Sequence, residues 1–166
     1  MPSVVLTLGS DISTDLIYPG RYMATVLPSE TPQFAFADLT EFNAKLRTKQ
    51  IPPGSVIVGG KNFGCGSSRE QAVSTLKGHD LIIVAEGFAR IFLQNSINLG
   101  LCVIEATGIT AQEGDELEFL TDTVINKTTG NKFEIVQLPK ARQAIIDAGG
   151  LIAYTRRRLI EREGQH

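Results

Sequence analysis

Two serines and an arginine stand together in Lys61-Asn62-Phe63-Gly64-Cys65-Gly66-Ser67-Ser68-Arg69-Glu70, where a glycine-rich turn enters a helical pattern. The chemistry open to such a segment is capture of an acid. Gly64 and Gly66 permit backbone angles that side chains forbid and let a ligand approach the main chain. Unpaired N–H groups at the start of the following helix favour an anion. Arg69 adds a planar, permanently charged fork that matches a carboxylate. Ser67 and Glu70 also have the S-x-x-E spacing of a capping box, in which each side chain satisfies the other's backbone N–H. That structural reading leaves the second serine, the arginine and the glycine pair unexplained. A cation in a first helical turn opposes the macrodipole, so Arg69 is expected to have a ligand or an acidic partner.

Cys65 and Cys102 are the only cysteines; they form no C-x-x-C pair, and neither stands beside His79 or His166 in a metal-ligand spacing. The chain is not expected to hold a metal cluster alone. Cys102 reads as a small, buried, apolar strand residue. Cys65 lies close to a helix start, which favours a thiolate, but no histidine is near in sequence to serve as its base. His79 reads as a loop residue and His166 as a terminal one.

The elements that must position these groups follow from hydrophobic patterning. Residues 3–8 read as an opening strand, and residues 9–25, rich in Gly, Asp, Ser, Thr and Pro, as a long irregular loop with polar groups available for a site. Residues 31–36 are ambiguous. Asp38 and Glu41 repeat the capping-box spacing ahead of Leu39, Phe42 and Leu46, one face of a short helix. Pro52-Pro53-Gly54 breaks the chain before an apolar strand over 55–58, which runs into the glycine turn. A helix over about 68–77 stops at Gly78, and 80–85 is a buried strand. Phe88, Ile91 and Phe92 open a second helix, which ends at Gly100 before a strand over 101–105. Strands separated by helices predict a parallel sheet with right-handed crossovers. Beyond Thr107, Leu117 and Phe119, residues 122–126 and residues 132–136 suggest short antiparallel strands around a Thr128-Thr129-Gly130 turn. Two short helices broken at Gly149-Gly150 close the chain, with Ile145, Leu151, Ile152, Leu159 and Ile160 as packing residues. The expectation is a single α/β domain over residues 1–166.

The 166 residues are 42% hydrophobic and 20% charged, with a formal net charge of −2. Nothing in that balance supports nucleic-acid or anionic-membrane binding, which shows as a basic face. Arg156, Arg157 and Arg158, mixed with Glu161 and Glu163, read as a solvated helix face. The longest apolar runs, such as 81–85, are far too short to span a bilayer, and the first residues lack a basic region followed by an apolar stretch. A cytoplasmic, reducing setting is expected.

The motifs GSDISTDLIYPG (9–20), NFGCGSSREQA (62–72), EGFARIFLQNSINLGLCVIEA (86–106) and AGGLIAYTRRRL (148–159) together resemble the small subunits of 3-isopropylmalate dehydratases, the detached swivelling domains of the aconitase superfamily. The resemblance covers nearly the whole chain. It implies a swivelling β/β/α domain that closes over a large catalytic subunit, in a heterodimer or heterotetramer, and leaves self-association of the isolated chain open. It also implies dehydration and rehydration of a small hydroxy-dicarboxylic acid, with a [4Fe-4S] cluster ligated by the large subunit and not by this chain.

By this resemblance Ser67 matches the catalytic base, a role that needs its alkoxide stabilised by backbone donors and the helix end. Ser68 would add a donor beside it, Arg69 would grip a substrate carboxylate, and Gly64, Cys65 and Gly66 would shape the turn. Thr14 and Asp15 match a TD pair at the domain edge, with Asp15 orienting active-site donors; on local sequence alone Asp15 is equally an Asx-turn or N-cap residue. Asn62 reads as a loop-stabilising residue. Gln71 replaces the histidine often found after the SSRE motif, a departure that touches helix support. Tyr22-Met23-Ala24-Thr25 falls on the loop that separates related dehydratases by substrate. Homoaconitase-like relatives carry an arginine at the position matched by Ala24, where it recognises a distal carboxylate. Ala24 instead leaves room for an alkyl group, so isopropylmalate is the expected substrate. Arg21, a few residues away, keeps homoaconitate and methylated malates open. A reading of another class, a stand-alone anion or nucleotide-binding module, finds neither a Walker ending nor a third fingerprint glycine in the turn.

Overall fold

The computed structural model describes residues 2–164. Strands β1 (Val4–Thr7), β2 (Val56–Gly59), β3 (Ile82–Ala85) and β4 (Cys102–Glu105) form an all-parallel sheet in the order β1-β2-β3-β4. Parallel neighbours need crossovers, and these are helical. α1 (Thr14–Ile17) and α2 (Thr40–Arg47) lie between β1 and β2, α3 (Glu70–Lys77) between β2 and β3, and α4 (Arg90–Leu99) between β3 and β4. Strands β5 (Leu117–Phe119), β6 (Thr123–Asn126) and β7 (Lys132–Glu134) then form an antiparallel sheet, followed by α5 (Lys140–Asp147) and α6 (Leu151–Glu163). The parallel and antiparallel blocks expected from the sequence both form.

Side-chain alternation divides the core between the two faces of the parallel sheet. Ile57, Ile83, Ala85 and Val103 pack with Ala72, Val73 and Leu76 of α3 and Phe92 of α4. Val56, Val58 and Val84 pack with Leu117 and Val124 of the antiparallel sheet. The layers are therefore small sheet, parallel sheet and helices, a β/β/α arrangement. β2 is buried along its whole length, which is why its sequence is an unbroken apolar run. Each fully buried Ile, such as Ile57 or Ile83, stabilises the fold by ~1.5–3 kcal/mol relative to exposure.

Four local expectations are corrected. Asp38 and Glu41 form no capping box: the N-cap of α2 is Leu39, with no side-chain cap bond, and Asp38 instead pairs with Arg21 at 2.6 Å. Residues 9–25 are not wholly irregular, because α1 and a 3-10 turn over Gly20–Tyr22 lie within them. Gly78 ends α3 in a right-handed conformation; a Cβ there would lie 2.3 Å from Cγ of Pro32, so close approach and not positive φ requires the glycine. On α6, Leu151, Ile152, Leu159 and Ile160 are exposed, Ile152 to 72%, and do not pack into the core. His79 donates one bond, its Nε2–H to the Pro32 carbonyl oxygen at 2.8 Å, whereas His166 lies outside the described residues.

Candidate active site

Because β1 and β2 are parallel neighbours, the segments that follow them leave the same edge of the sheet, the end at which open α/β sheets carry their sites. Hydrogen bonds lace these segments together. The Gly60 N–H donates to the Gly9 carbonyl (3.0 Å), Asp11 N–H to Lys61 (2.8 Å), Gly64 N–H to Ile12 (2.7 Å) and Thr14 N–H to Cys65 (2.8 Å). Asp11 and Asn62 both adopt left-handed backbones, with φ of 57° each, a conformation that Asp and Asn tolerate. Their side chains meet, Asn62 Nδ2 donating to Asp11 Oδ1 at 3.0 Å. The segment after β3 joins them, with Phe63 N–H donating to Gly87 at 2.9 Å and Ala89 N–H to Phe63 at 2.9 Å. Gly64 sits at φ 85°, and a Cβ on it would fall 2.2 Å from the ring of Phe92. Glycine there lets the turn settle against α4.

This lacing sets the sequence-predicted residues side by side. The Thr14 hydroxyl donates to the Ser67 carbonyl at 2.9 Å and lies 3.5 Å from the Ser67 hydroxyl. Ser67 and Ser68 are exposed, and neither serine hydroxyl caps the helix. The Ser67–Glu70 capping box does not form. Helix α3 begins at Glu70, its N-cap is Arg69, and that cap makes no side-chain bond. Arg69 therefore stands before the helix and not within its first turn. The tie from Thr14 to Ser67 holds the turn two residues upstream of the position a capping serine needs.

Arg69 has an acidic partner. Its Nη1 donates to Asp15 Oδ1 at 2.7 Å and to the Tyr18 carbonyl at 3.1 Å. Asp15 also accepts from the Gly20 N–H at 2.9 Å. It lies within the single turn of α1, whose N-cap is Ser13, with Ser13 Oγ accepting from Leu16 N–H; Asp15 is thus neither an Asx-turn nor an N-cap residue. A Cβ at Gly20 would lie 3.3 Å from Arg69 Nη2, so the glycine leaves room for the guanidinium. Held by Nη1 alone, Arg69 keeps Nε and Nη2 free of partners among the described residues. That edge can grip a carboxylate.

The hydrogen bond from Arg69, aided by the Gly20 N–H, holds the Asp15 carboxyl below its ordinary value. A depressed folded-state pKa contributes stability above the unfolded value, lost as pH falls through the folded one. Asp15→Asn is therefore expected to melt below the parent at neutral pH. The two melting curves should draw together as the pH drops below about 4, the ordinary carboxylate range, and meet only below the depressed folded-state value. Thermal unfolding of both chains across pH checks this; a gap that persists in acid would contradict it.

The third group is the loop over Tyr22-Met23-Ala24-Thr25. Tyr22 stacks on Phe34 at 4.0 Å with an interplanar angle of 11°. Arg21 lies 4.7 Å over the Tyr22 ring while its Nη2 binds Asp38, and these contacts raise its pKa well above the usual guanidinium value. Arg21 is thus paired at the surface, with both partners half exposed. Met23 and Ala24 are exposed and Thr25 half-buried. Two supports of this loop escaped the sequence reading. Gln71, assigned there to helix support, donates through Nε2 to the Met23 carbonyl at 3.3 Å. Tyr18, fully buried, donates to the Tyr22 carbonyl at 2.9 Å, with the Thr25 carbonyl at 3.2 Å. Its one signal in sequence was an aromatic residue four before Tyr22 inside a polar stretch.

With this geometry in view, the comparisons with known proteins are specific. Residues 10–108 match the model of the aconitase C-terminal domain family. The isopropylmalate/citramalate isomerase small subunit of Methanocaldococcus jannaschii is 43% identical over 163 residues, covering 95% of this chain and 94% of that protein. The 3-isopropylmalate dehydratase small subunit of Methanosarcina mazei is 39% identical over 158 residues, covering 93% and 95%. The chain belongs to the 3-isopropylmalate dehydratase small-subunit family. A crystal structure of 3-isopropylmalate dehydratase from Methanocaldococcus jannaschii superposes with a TM-score of 0.87 at 33% identity, covering 99% of this chain and 98% of that one.

As a small subunit of this family, the chain has the aconitase-type swivelling fold and is part of a hydro-lyase. Aconitase-family dehydratases carry their iron–sulfur cluster on the large subunit. Among the described residues no set of three or more His, Cys, Asp or Glu could hold a metal ion. Cys65 lies in the turn, and Cys102 lies on β4 with its thiol pushed up by burial. No described helix is long and apolar enough to cross a membrane. A cavity of about 310 Å³ is lined by Phe88, Cys102, Phe119 and Ile135, and by none of Asp15, Ser67 or Arg69. At the candidate site Ser67 and Ser68 are exposed and Arg69 is largely covered.

Proposed function

We propose that this chain, in the cytoplasm, closes over a cluster-bearing large subunit and supplies one wall of an active site that interconverts 2-isopropylmalate and 3-isopropylmalate, a step of leucine biosynthesis. The observation that carries the reading is that the Ser67 turn is tied to Thr14, that Arg69 pairs with Asp15 at 2.7 Å, and that Tyr18 and Gln71 tie both to the loop bearing Ala24. Arg69 grips a substrate carboxylate with its free edge, while Asp15 and the Tyr18 carbonyl hold the guanidinium in plane. Ser67 takes the proton from the substrate carbon next to the one that bears the hydroxyl. That hydroxyl departs as hydroxide and a double bond forms between the two carbons; rehydration adds hydroxide to the carbon that lost the proton, while Ser67 gives the proton to the carbon that lost the hydroxyl. The [4Fe-4S] cluster of the large subunit supplies Lewis acidity at the departing hydroxyl. Ser68 and the main-chain N–H groups of the turn stabilise the Ser67 alkoxide once the partner excludes water.

Ala24 offers no charge to a distal carboxylate, and Arg21 is engaged by Asp38 and Tyr22. Both facts favour an alkyl-substituted malate over homoaconitate. Citramalate is the second reading, favoured by the name of the relative that is 43% identical. Purification with the native large subunit, followed by an anaerobic panel of 3-isopropylmalate, citramalate and homoaconitate, tests the proposal. Turnover led by 3-isopropylmalate supports it, and preference for homoaconitate overturns the substrate assignment. In the same panel Ala24→Arg should raise the ratio of kcat/KM for homoaconitate over isopropylmalate by about 10²-fold, the worth of a charged hydrogen bond gained and an alkyl pocket lost. An unchanged ratio would remove Ala24 from the specificity determinants.

A further inference from the structure

We infer that Tyr18 is a positioning residue that sets the substrate loop, its hydroxyl anchoring the carbonyls on either side of Met23-Ala24 and so fixing the room left for the alkyl arm of the substrate. The inference rests on the isopropylmalate reading of that loop. Tyr18 touches both parts of the site. Its hydroxyl donates to Tyr22 and lies within reach of Thr25 at 2.9 and 3.2 Å, and its own carbonyl accepts from Arg69 Nη1 at 3.1 Å. The ring stands edge-on to Tyr22 (6.4 Å) and Phe34 (6.1 Å), which stack on each other. Between the two anchored carbonyls the chain turns tightly, with Met23 N–H donating to Gly20 at 3.1 Å and Thr25 N–H to Tyr22 at 3.0 Å. Met23 and Ala24 are thus presented from a frame whose central polar atom is one buried oxygen.

A lost hydroxyl leaves the Thr25 carbonyl without its donor and the Tyr22 carbonyl with the Thr25 N–H alone, a cost that the loop escapes by moving. Binding then weakens by the fraction of chains that keep the competent loop. Tyr18→Phe isolates this effect, because the ring and its aromatic contacts stay. With the large subunit, Tyr18→Phe is expected to raise KM for 3-isopropylmalate about tenfold, to leave kcat within about threefold, and to narrow the preference for isopropylmalate over citramalate. An unchanged KM and preference, or an equal loss of kcat on both acids, overturns the inference. Hydrogen–deuterium exchange on the isolated chain gives a second reading that does not depend on the reaction. Amides of residues 22–26 should exchange faster in Tyr18→Phe, with those of β2 and β3 unchanged; identical exchange in the loop overturns the inference. If the parent enzyme turns over neither acid, the proposed function fails, and the exchange result alone decides whether Tyr18 holds the loop.

Discussion

Ser67→Ala, assembled with a cluster-loaded large subunit, is expected to lose about 10³-fold in kcat with KM for 3-isopropylmalate within about threefold of the parent, as removal of a general base requires. The hydroxyl does no structural work that would confuse the result. It is exposed, it caps no helix, and among the described residues its one side-chain hydrogen-bond partner is the Thr14 hydroxyl at 3.5 Å. The tie between the two segments runs through the Ser67 carbonyl, which accepts from Thr14 at 2.9 Å and from the Arg69 N–H at 2.9 Å, and alanine keeps that carbonyl. Fold, assembly and carboxylate grip should therefore survive while proton removal fails. Steady-state kinetics with the cluster content of both enzymes measured would settle the assignment; parent-like kcat would show that the base lies elsewhere.

Arg69→Lys is expected to be nearly as damaging, but through binding. A lysine carries the charge as a point and has no planar fork, so it cannot hold Asp15 and the Tyr18 carbonyl with one nitrogen while offering two others to a substrate. Arg69 is mostly covered, with 18% of its side chain accessible beside an Asp15 that is 64% accessible. Its position is set by packing more than by the ion pair, which on so exposed a carboxylate is screened by solvent. The expected result is a loss of about 10²-fold in kcat/KM, carried mainly by KM. Kinetics over a range of substrate that brackets the raised KM would measure it. A KM equal to the parent's would mean that Arg69 does not touch the substrate and serves only to hold Asp15.

The layers of the fold were legible because long-range burial writes itself into composition. β2 and β3 are buried on both faces and so are continuous apolar runs, while the small sheet alternates and is punctuated by a Thr-Thr-Gly turn. Local polar signals were less dependable. Both S/D-x-x-E spacings predicted capping boxes, and in both cases a tertiary tie prevailed: Thr14 claims the backbone at Ser67, and Arg21 claims Asp38. The acidic partner expected of Arg69 exists in Asp15, yet no spacing within the sequence could name it, because the pair is 54 residues apart and meets only where β1 and β2 end together. Tyr18 and Gln71 were hidden for a related reason. Each acts on main-chain carbonyls, which every residue has, so their targets leave no mark in side-chain pattern. The exposed apolar residues of α6 were misread as core because helical spacing reveals a face without revealing what covers it.

In the proposed function this chain completes an isopropylmalate dehydratase by covering a cluster that the large subunit ligates. Titration of the chain into its native, anaerobically reconstituted large subunit, with 3-isopropylmalate present and the unsaturated intermediate followed by ultraviolet absorbance, tests that claim most directly. Negligible turnover by either subunit alone is expected, with activity that rises with added chain to a stoichiometric plateau. Turnover by the large subunit alone at the plateau rate, or none at any ratio, would contradict it.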